Sequence, residues 1–304
     1  MAIPKAQLET WSHQGAIKTS SDTYLTVKRA LEKPTVGYAG RDFEIYLQGS
    51  YGNDTNIYAE SDVDIVICCA AAFYYDISAL DPAQTSAFHA QFNGEASYKY
   101  SEFKTAVVSA LTAEFGKSVT LGKRAIKIAA DGNRRSSDVI AAFEHRRYYS
   151  FGAYDQANVH KGISFFNNAG ERIDNFPKLH SEHLTTKHKN TGGRLKSAIR
   201  IFKNIRSALV DRGAIGKGDA PSYFVEGLLY NVPDNIFVGG TDDTTLGILR
   251  WLDSNPDRSQ FVCANERYYL LRDGSQVCWP TADGTKFIKA ASELWDNSKS
   301  VVFI

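Results

Sequence analysis

Asp62 and Asp64 stand one valine apart within residues 48–67, QGSYGNDTNIYAESDVDIVI. Residues two apart on a strand project from the same face. The pattern therefore sets the two carboxylates side by side, while Val63, Ile65, Val66 and Ile67 anchor the strand in a core. Adjacent carboxylates repel, and a divalent cation removes that cost. Mg²⁺ is a hard ion that takes a few carboxylates together with phosphate oxygens, and Mn²⁺ suits the same ligands. Gly49 permits close backbone approach to a ligand, and the Ser50 hydroxyl can donate to a phosphate. The stretch reads as a metal-dependent nucleotidyl-transfer site.

Two-metal chemistry needs ligands for a pair of ions ~3.5–4 Å apart, and a third carboxylate on a neighbouring strand completes such a set. Asp138, at the start of the apolar run SDVIAAF, is the candidate; its ordinary alternative is a turn or cap aspartate after residues 133–137. Asp131 competes, but it lies in an Asp-Gly-Asn turn, where aspartate is expected anyway. In the expected arrangement Asp62 and Asp64 bind the metal that carries the triphosphate. Asp138 joins them at the second metal and positions or deprotonates the attacking ribose hydroxyl.

The elements that must hold these residues follow from periodicity. A strand over 43–47, a polar loop over 49–60 and a strand over 63–69 place Ser50 and both aspartates at one sheet edge. Residues 7–31 read as helical, 73–100 as irregular, and 102–115 as an amphipathic helix with Phe103, Val107, Leu111 and Phe115 at helical spacing. Short strands are expected over 119–121, 125–128, 137–143 and 162–166. From about residue 181 the pattern turns helical, with helices over 195–210, 223–229, 244–253 and 286–297. A mixed α/β front half and a helical back half predict two lobes with a ligand cleft between them.

Composition sets limits. The chain has 304 residues, 43% hydrophobic and 23% charged, which is a globular balance. Its net charge of +1 argues against a protein whose main task is gripping duplex nucleic acid. Four cysteines without a CxxC pair read as buried reduced thiols rather than a zinc site. The opening MAIPKAQLETW has no apolar signal core, and no run approaches the ~20 residues needed to span a bilayer. A soluble, cytoplasmic protein without membrane contact is expected.

Gly49-Ser50, eleven intervening residues and Asp62-Val63-Asp64-Ile65 resemble the GS…DxD signature of the DNA polymerase beta-like nucleotidyltransferases. Together with SDVIAAFEHRRY, GISFF, NFPKLHSEH, IRIFKNIR and APSYFVEGLLYNVPD, the wider wording resembles the bacterial CD-NTase family, relatives of cyclic GMP-AMP synthase and the oligoadenylate synthases. The opening IPKAQLETWSHQGA is similar to that of the CdnE clade. The resemblance implies an α/β plus α-helical fold. A polymerase beta-like nucleotidyltransferase core with an N-terminal bracing helix would occupy 1–180, a helical oligoadenylate-synthase-like domain 181–304, with the active site in the cleft. It implies synthesis of cyclic di- or trinucleotides from NTPs with two Mg²⁺ ions, in antiphage defence of the CBASS type, where the product activates a separate effector protein.

Carried over by position, the resemblance implies that Asp62, Asp64 and Asp138 are the metal triad. Gln48, Gly49 and Ser50 match the phosphate-cradling turn, and Ser61 the serine before the acids. Lys187 and Lys203 match basic positions that neutralise the triphosphate, and Ser222 and Tyr223 the segment facing the nucleotide. Asn175 matches a base-contacting position, where asparagine is associated with accepting pyrimidines; an amide can pair with an imide edge. UTP and a purine NTP are the expected substrates. The alternative is a nucleotidyltransferase that modifies an RNA end, a protein or a small-molecule acceptor.

Other features carry less. Lys196 and Arg200 share a helical face with Lys203 and read as solvated. His180, His183 and His188 have H-x2-H spacing but no completed four-ligand zinc set; without a Cys/His cluster no duplex nucleic-acid activator is expected. Tyr148, Tyr149, Phe151 and Tyr154 read as core packing rather than a base-stacking platform. Arg134-Arg135 and Arg146-Arg147 are short basic pairs, the first within reach of Asp138.

Overall fold

A computed structural model describes residues 3–15, 17–58, 62–152 and 158–297. The chain forms two compact units. One comprises Lys18–Leu47 and Asp62–Pro177; the other comprises Met1–Ile17, Gln48–Ser61 and Lys178–Ile304. The division after Pro177 falls close to the residue-180 boundary read from sequence, while the N-terminal segment and the Gln48–Ser61 segment group with the helical unit.

The sheet unit is built on a 7-stranded mixed sheet. Its strands are β1 (Phe43–Leu47), β2 (Val63–Asp76), β3 (Val119–Leu121), β4 (Ile126–Ile128), β5 (Ser137–Tyr148), β6 (Val159–Phe166) and β7 (Arg172–Asn175). The order is β1-β2-β5-β4-β3, with β6 against β5 and β7 against β6. β2 runs parallel to β5. Flanked on both sides, β2 carries apolar residues on both faces, and Val63, Ile65, Val66 and Ile67 are all fully buried.

Helices α2 (Lys18–Leu31) and α5 (Tyr100–Phe115) pack on this sheet. Phe103, Val107 and Leu111, four residues apart, form the buried stripe of α5. The residues read as irregular contain α4 (Pro82–Gln91). Its start is legible: the Asp81 carboxylate accepts from the Gln84 N–H at 2.8 Å, and Pro82 opens the first turn. β2 and β5 also run past their expected ends. After an irregularity between Cys69 and Phe73, Phe73–Asp76 pairs with Glu144–Arg147. The low-propensity alanines at 70–72 fall within that irregularity, outside the paired register, and hide the continuation of the strand from a local pattern.

The helical unit contains α1 (Lys5–Ser12), α3 (Gly49–Gly52), α6 (Pro177–Asn190), α7 (Leu195–Asp211), α8 (Ser222–Tyr230), α9 (Thr241–Ser254) and α10 (Thr281–Asn297). The helical stretch expected over 7–31 is divided in two, α1 ending at Ser12 and α2 beginning at Lys18. Gly15 fills the break because a Cβ there would lie 2.7 Å from the Ile57 carbonyl carbon. α7 is the central element; its Ile199, Phe202, Ile205 and Leu209 enter one apolar core with Leu228 of α8, Ile248 of α9 and Phe287 of α10. No helix among the described residues is long and apolar enough to cross a membrane.

Candidate active site

The parallel register of β2 and β5 sets Asp64 directly opposite Asp138. On the other side of β5, Lys127 of β4 is opposite Asp138 in antiparallel register. Asp64, Asp138 and Lys127 therefore form a row across three neighbouring strands. Asp62, just before β2, is exposed and lies on the same face as Asp64; it accepts a hydrogen bond from the Ser136 hydroxyl. The Lys127 ammonium is 3.6 Å from Asp138 Oδ2.

Electrostatics single out Asp138. Burial pushes its carboxyl above the usual carboxylate range; the Lys127 ammonium opposes that rise and the Asp62 charge adds to it. Among the described residues no three or more His, Cys, Asp or Glu side chains converge into a metal-holding cluster. The three acids share one face of the sheet. Their hard oxygen donors, and a carboxyl whose ionised form is disfavoured by burial and by a like charge, fit a small divalent cation such as Mg²⁺.

The segment between β1 and β2 belongs to the helical unit. Gly49 has φ +62°, the left-handed conformation that favours glycine, and it opens the tight turn α3. Gln48 caps that turn, its carbonyl accepting from the Gly52 N–H at 3.3 Å, and Ser50 is buried. Ser61 lies outside the described residues.

Comparison with known proteins decides the family. Residues 182–296 match the model of the cGAS/DncV-like nucleotidyltransferase C-terminal helical domain. The cyclic nucleotide synthase CdnE01 of Staphylococcus haemolyticus is 38% identical over 302 residues, covering 97% of this chain and 99% of that protein. The chain belongs to the CD-NTase family. It is also similar to the cyclic UMP-AMP synthase of Rhodothermus marinus, 33% identical over 297 residues, covering 97% of this chain and 98% of the relative. The solved structure of Rhodothermus marinus CdnE c-UMP-AMP synthase with Apcpp and Upnpp superposes with a TM-score of 0.86 at 32% identity and 99% coverage of both chains. The fold is that of its CdnE relatives, a polymerase beta-like core with a C-terminal helical lobe.

Other expected site residues of this CD-NTase have defined places. Asn175 ends β7 opposite Ile163, its side-chain oxygen accepting from the Phe176 N–H at 2.8 Å. Lys187 Nζ pairs with Asp234 at 2.6 Å. Ser222 accepts from Arg206 at 3.0 Å. The Tyr223 ring stacks on His180 at 4.0 Å, and burial pushes its phenol well above the ordinary value. Lys203 differs most from expectation: it is fully buried, its ammonium 3.3 Å from Glu226 Oε1. A cation so placed is a core partner before it is a phosphate ligand.

The remaining features fall to packing. Lys196 pairs with Asp54 at 3.0 Å, and Arg200 donates to the Asp54 carbonyl at 2.6 Å, so neither is simply solvated. His183 is 2.7 Å from the Ala264 carbonyl, His188 accepts from the Lys196 N–H at 3.2 Å, and His180 faces Glu226; they do not share a centre. Tyr148 and Phe151 pack edge-on against Phe88 at 5.1 and 5.3 Å, as expected for a core, while Tyr154 lies outside the described residues. Arg134 covers the Phe115 ring at 4.8 Å, and Arg146 the Phe73 ring at 3.9 Å. All four cysteines are free thiols. Sequence reading missed Lys127 and Glu226. The signal for Glu226 was a lone acid in the otherwise apolar helix SYFVEGLLY, since a buried carboxylate demands partners.

Proposed function

We propose that this CD-NTase makes a cyclic dinucleotide, or trinucleotide, from NTPs. The carrying observation is the Asp64–Asp138 register pair with Asp62 beside it, in a chain similar over nearly its full length to cyclic nucleotide synthases. A ribose hydroxyl of one nucleotide attacks the α-phosphorus of another. A P–O bond forms, the bond to the β-phosphate bridge oxygen breaks, and pyrophosphate leaves. Repetition within the linear intermediate closes the ring, one pyrophosphate leaving for each phosphodiester bond formed.

Asp62, Asp64 and Asp138 would hold two Mg²⁺ ions, with Mn²⁺ able to substitute. The ions' contribution would be to stabilise negative charge on the attacking and leaving oxygens. Asp138 orients the attacking hydroxyl and accepts its proton. Gly49 and Ser50, with Gln48, cradle phosphate, Lys187 adds positive charge, and Tyr223 faces the nucleotide. In the cell, the cytoplasmic product would serve CBASS antiphage defence by activating a separate effector protein.

The test is a product assay. Purified chain, four NTPs and Mg²⁺ should yield a phosphatase-resistant species whose mass equals two or three nucleotides joined with ring closure. NTP consumption only in the presence of a foreign acceptor would move the assignment to a transferase acting on RNA ends, proteins or small molecules. A uridine-containing product is expected, supported by Asn175 and by likeness to a cyclic UMP-AMP synthase. Asn175→Ser should shift NTP choice towards purines by about tenfold, a loss of one or two base hydrogen bonds. An unchanged product profile would refute that role.

A further inference from the structure

Glu226 lies on α8 at 1% exposure and gathers partners from three other segments. Asn53 Nδ2 donates to Oε2 at 3.0 Å, and the Thr55 hydroxyl donates to Oε1. His180 Nε2 of α6 is 2.8 Å from Oε2, and Lys203 Nζ of α7 is 3.3 Å from Oε1 and also 3.3 Å from Thr55 Oγ1. Asn53, Thr55, His180 and Lys203 are all buried. Burying such a set is a poor way to gain stability, because apolar side chains of similar volume do as well or better. What it does supply is fixed geometry.

The geometry it fixes is that of the turn carrying Gly49 and Ser50. Thr55 is tied back to that turn, its N–H donating to the Ser50 carbonyl at 2.9 Å, and the Asn53 N–H donates to the Gly49 carbonyl at 3.0 Å. Between them Asp54 adopts φ +57°, a left-handed backbone conformation that a non-glycine residue keeps only where its surroundings enforce it. Lys196 and Arg200 hold Asp54, and Gln14 Nε2 donates to Asn56 Oδ1 at 2.7 Å. The polar end of the turn is thus clamped residue by residue, and Glu226 supplies the clamp at both Asn53 and Thr55.

We propose that Glu226 is the positioning residue of the Gly49-Ser50 turn: from inside the helical unit it holds the turn, through Asn53 and Thr55, in the conformation that receives an NTP's phosphates, with Lys203 as its counter-charge. The inference rests on the reading of this chain as an NTP-using synthase. A phosphate cradle acts on bound substrate and transition state alike, so its loss raises KM more than it lowers kcat. A purely structural role would instead reduce the folded fraction, lowering apparent kcat at constant KM.

The test takes the full chain, with Glu226→Gln and with the shape-preserving Thr55→Val, through calorimetric binding of methylene-bridged ATP with Mg²⁺ and through steady-state kinetics. Both variants should raise the analogue's Kd and the NTP KM by about tenfold, the effect of losing a positioned hydrogen bond or charge. Folded Thr55→Val that binds as tightly as wild type overturns the proposal, as does a fall in kcat at unchanged KM. If Glu226→Gln does not fold, Thr55→Val decides. A wild-type chain that binds no NTP overturns the underlying reading instead, and the proposal with it.

Discussion

Replacing both Asp62 and Asp64 by asparagine should reduce NTP turnover at least about a thousandfold, because stabilising charge on the attacking and leaving oxygens supplies most of the rate enhancement in such transfers. The fold should persist. Asp62 is exposed and Asp64 half-buried, whereas the residues that anchor the strand are the fully buried Val63, Ile65, Val66 and Ile67. Asparagine keeps the shape and removes two like charges from one sheet face, so the thermal midpoint should stay within a few degrees of wild type. Pyrophosphate release measures the turnover, and the midpoint with and without Mg²⁺ measures ion binding. Wild type should gain stability with Mg²⁺ by mass action, and the double variant should not. Full activity, or an undiminished Mg²⁺ response, in the double variant would sink the assignment of the acids.

Lys203→Met should lower the stability of the helical unit by about 3–5 kcal/mol, the usual cost of leaving one member of a buried ion pair uncompensated. In thermal denaturation that corresponds to a fall of roughly 10 °C. Burial alone would raise the Glu226 carboxyl; the Lys203 ammonium and the His180 contact more than reverse this and hold it at about 2. In wild type the associated stability is complete above about pH 4.5, the ordinary glutamate value, and is lost as pH falls to about 2. The gap between wild type and Lys203→Met should therefore narrow across that range. Adding Glu226→Gln to Lys203→Met should restore part of the loss, since the orphaned charge is then gone. An unchanged midpoint with a raised NTP KM would show Lys203 to be a phosphate ligand rather than a core partner.

Local signals make much of this protein legible. The period of two places Asp62 and Asp64 on one face, and the period of helices finds α5 and α7 nearly to the residue. Gly49 before Ser50 marks a tight turn, and its φ of +62° bears that out. The α4 start is present in Asp81-Pro82 but escapes a pattern reading because the apolar spacing after it is weak. β7 escapes because four residues, Arg172–Asn175, are too few for alternation to show. Each of these depends on the few neighbouring residues that set backbone conformation.

Sequence by itself determined the chemistry available: two strand-borne carboxylates, a third acid downstream, a glycine-serine turn, and wording similar to one enzyme family. Tertiary structure alone decided which distant residues meet. It put Asp138 opposite Asp64, placed Lys127 on its far side, grouped the Gln48–Ser61 segment with the helical unit, and buried Lys203 against Glu226. Strand register between separated segments follows from which faces find a common core, and the partner of a buried charge follows from desolvation. Both are set by packing across the chain, and neither leaves a periodic trace in the residues that take part.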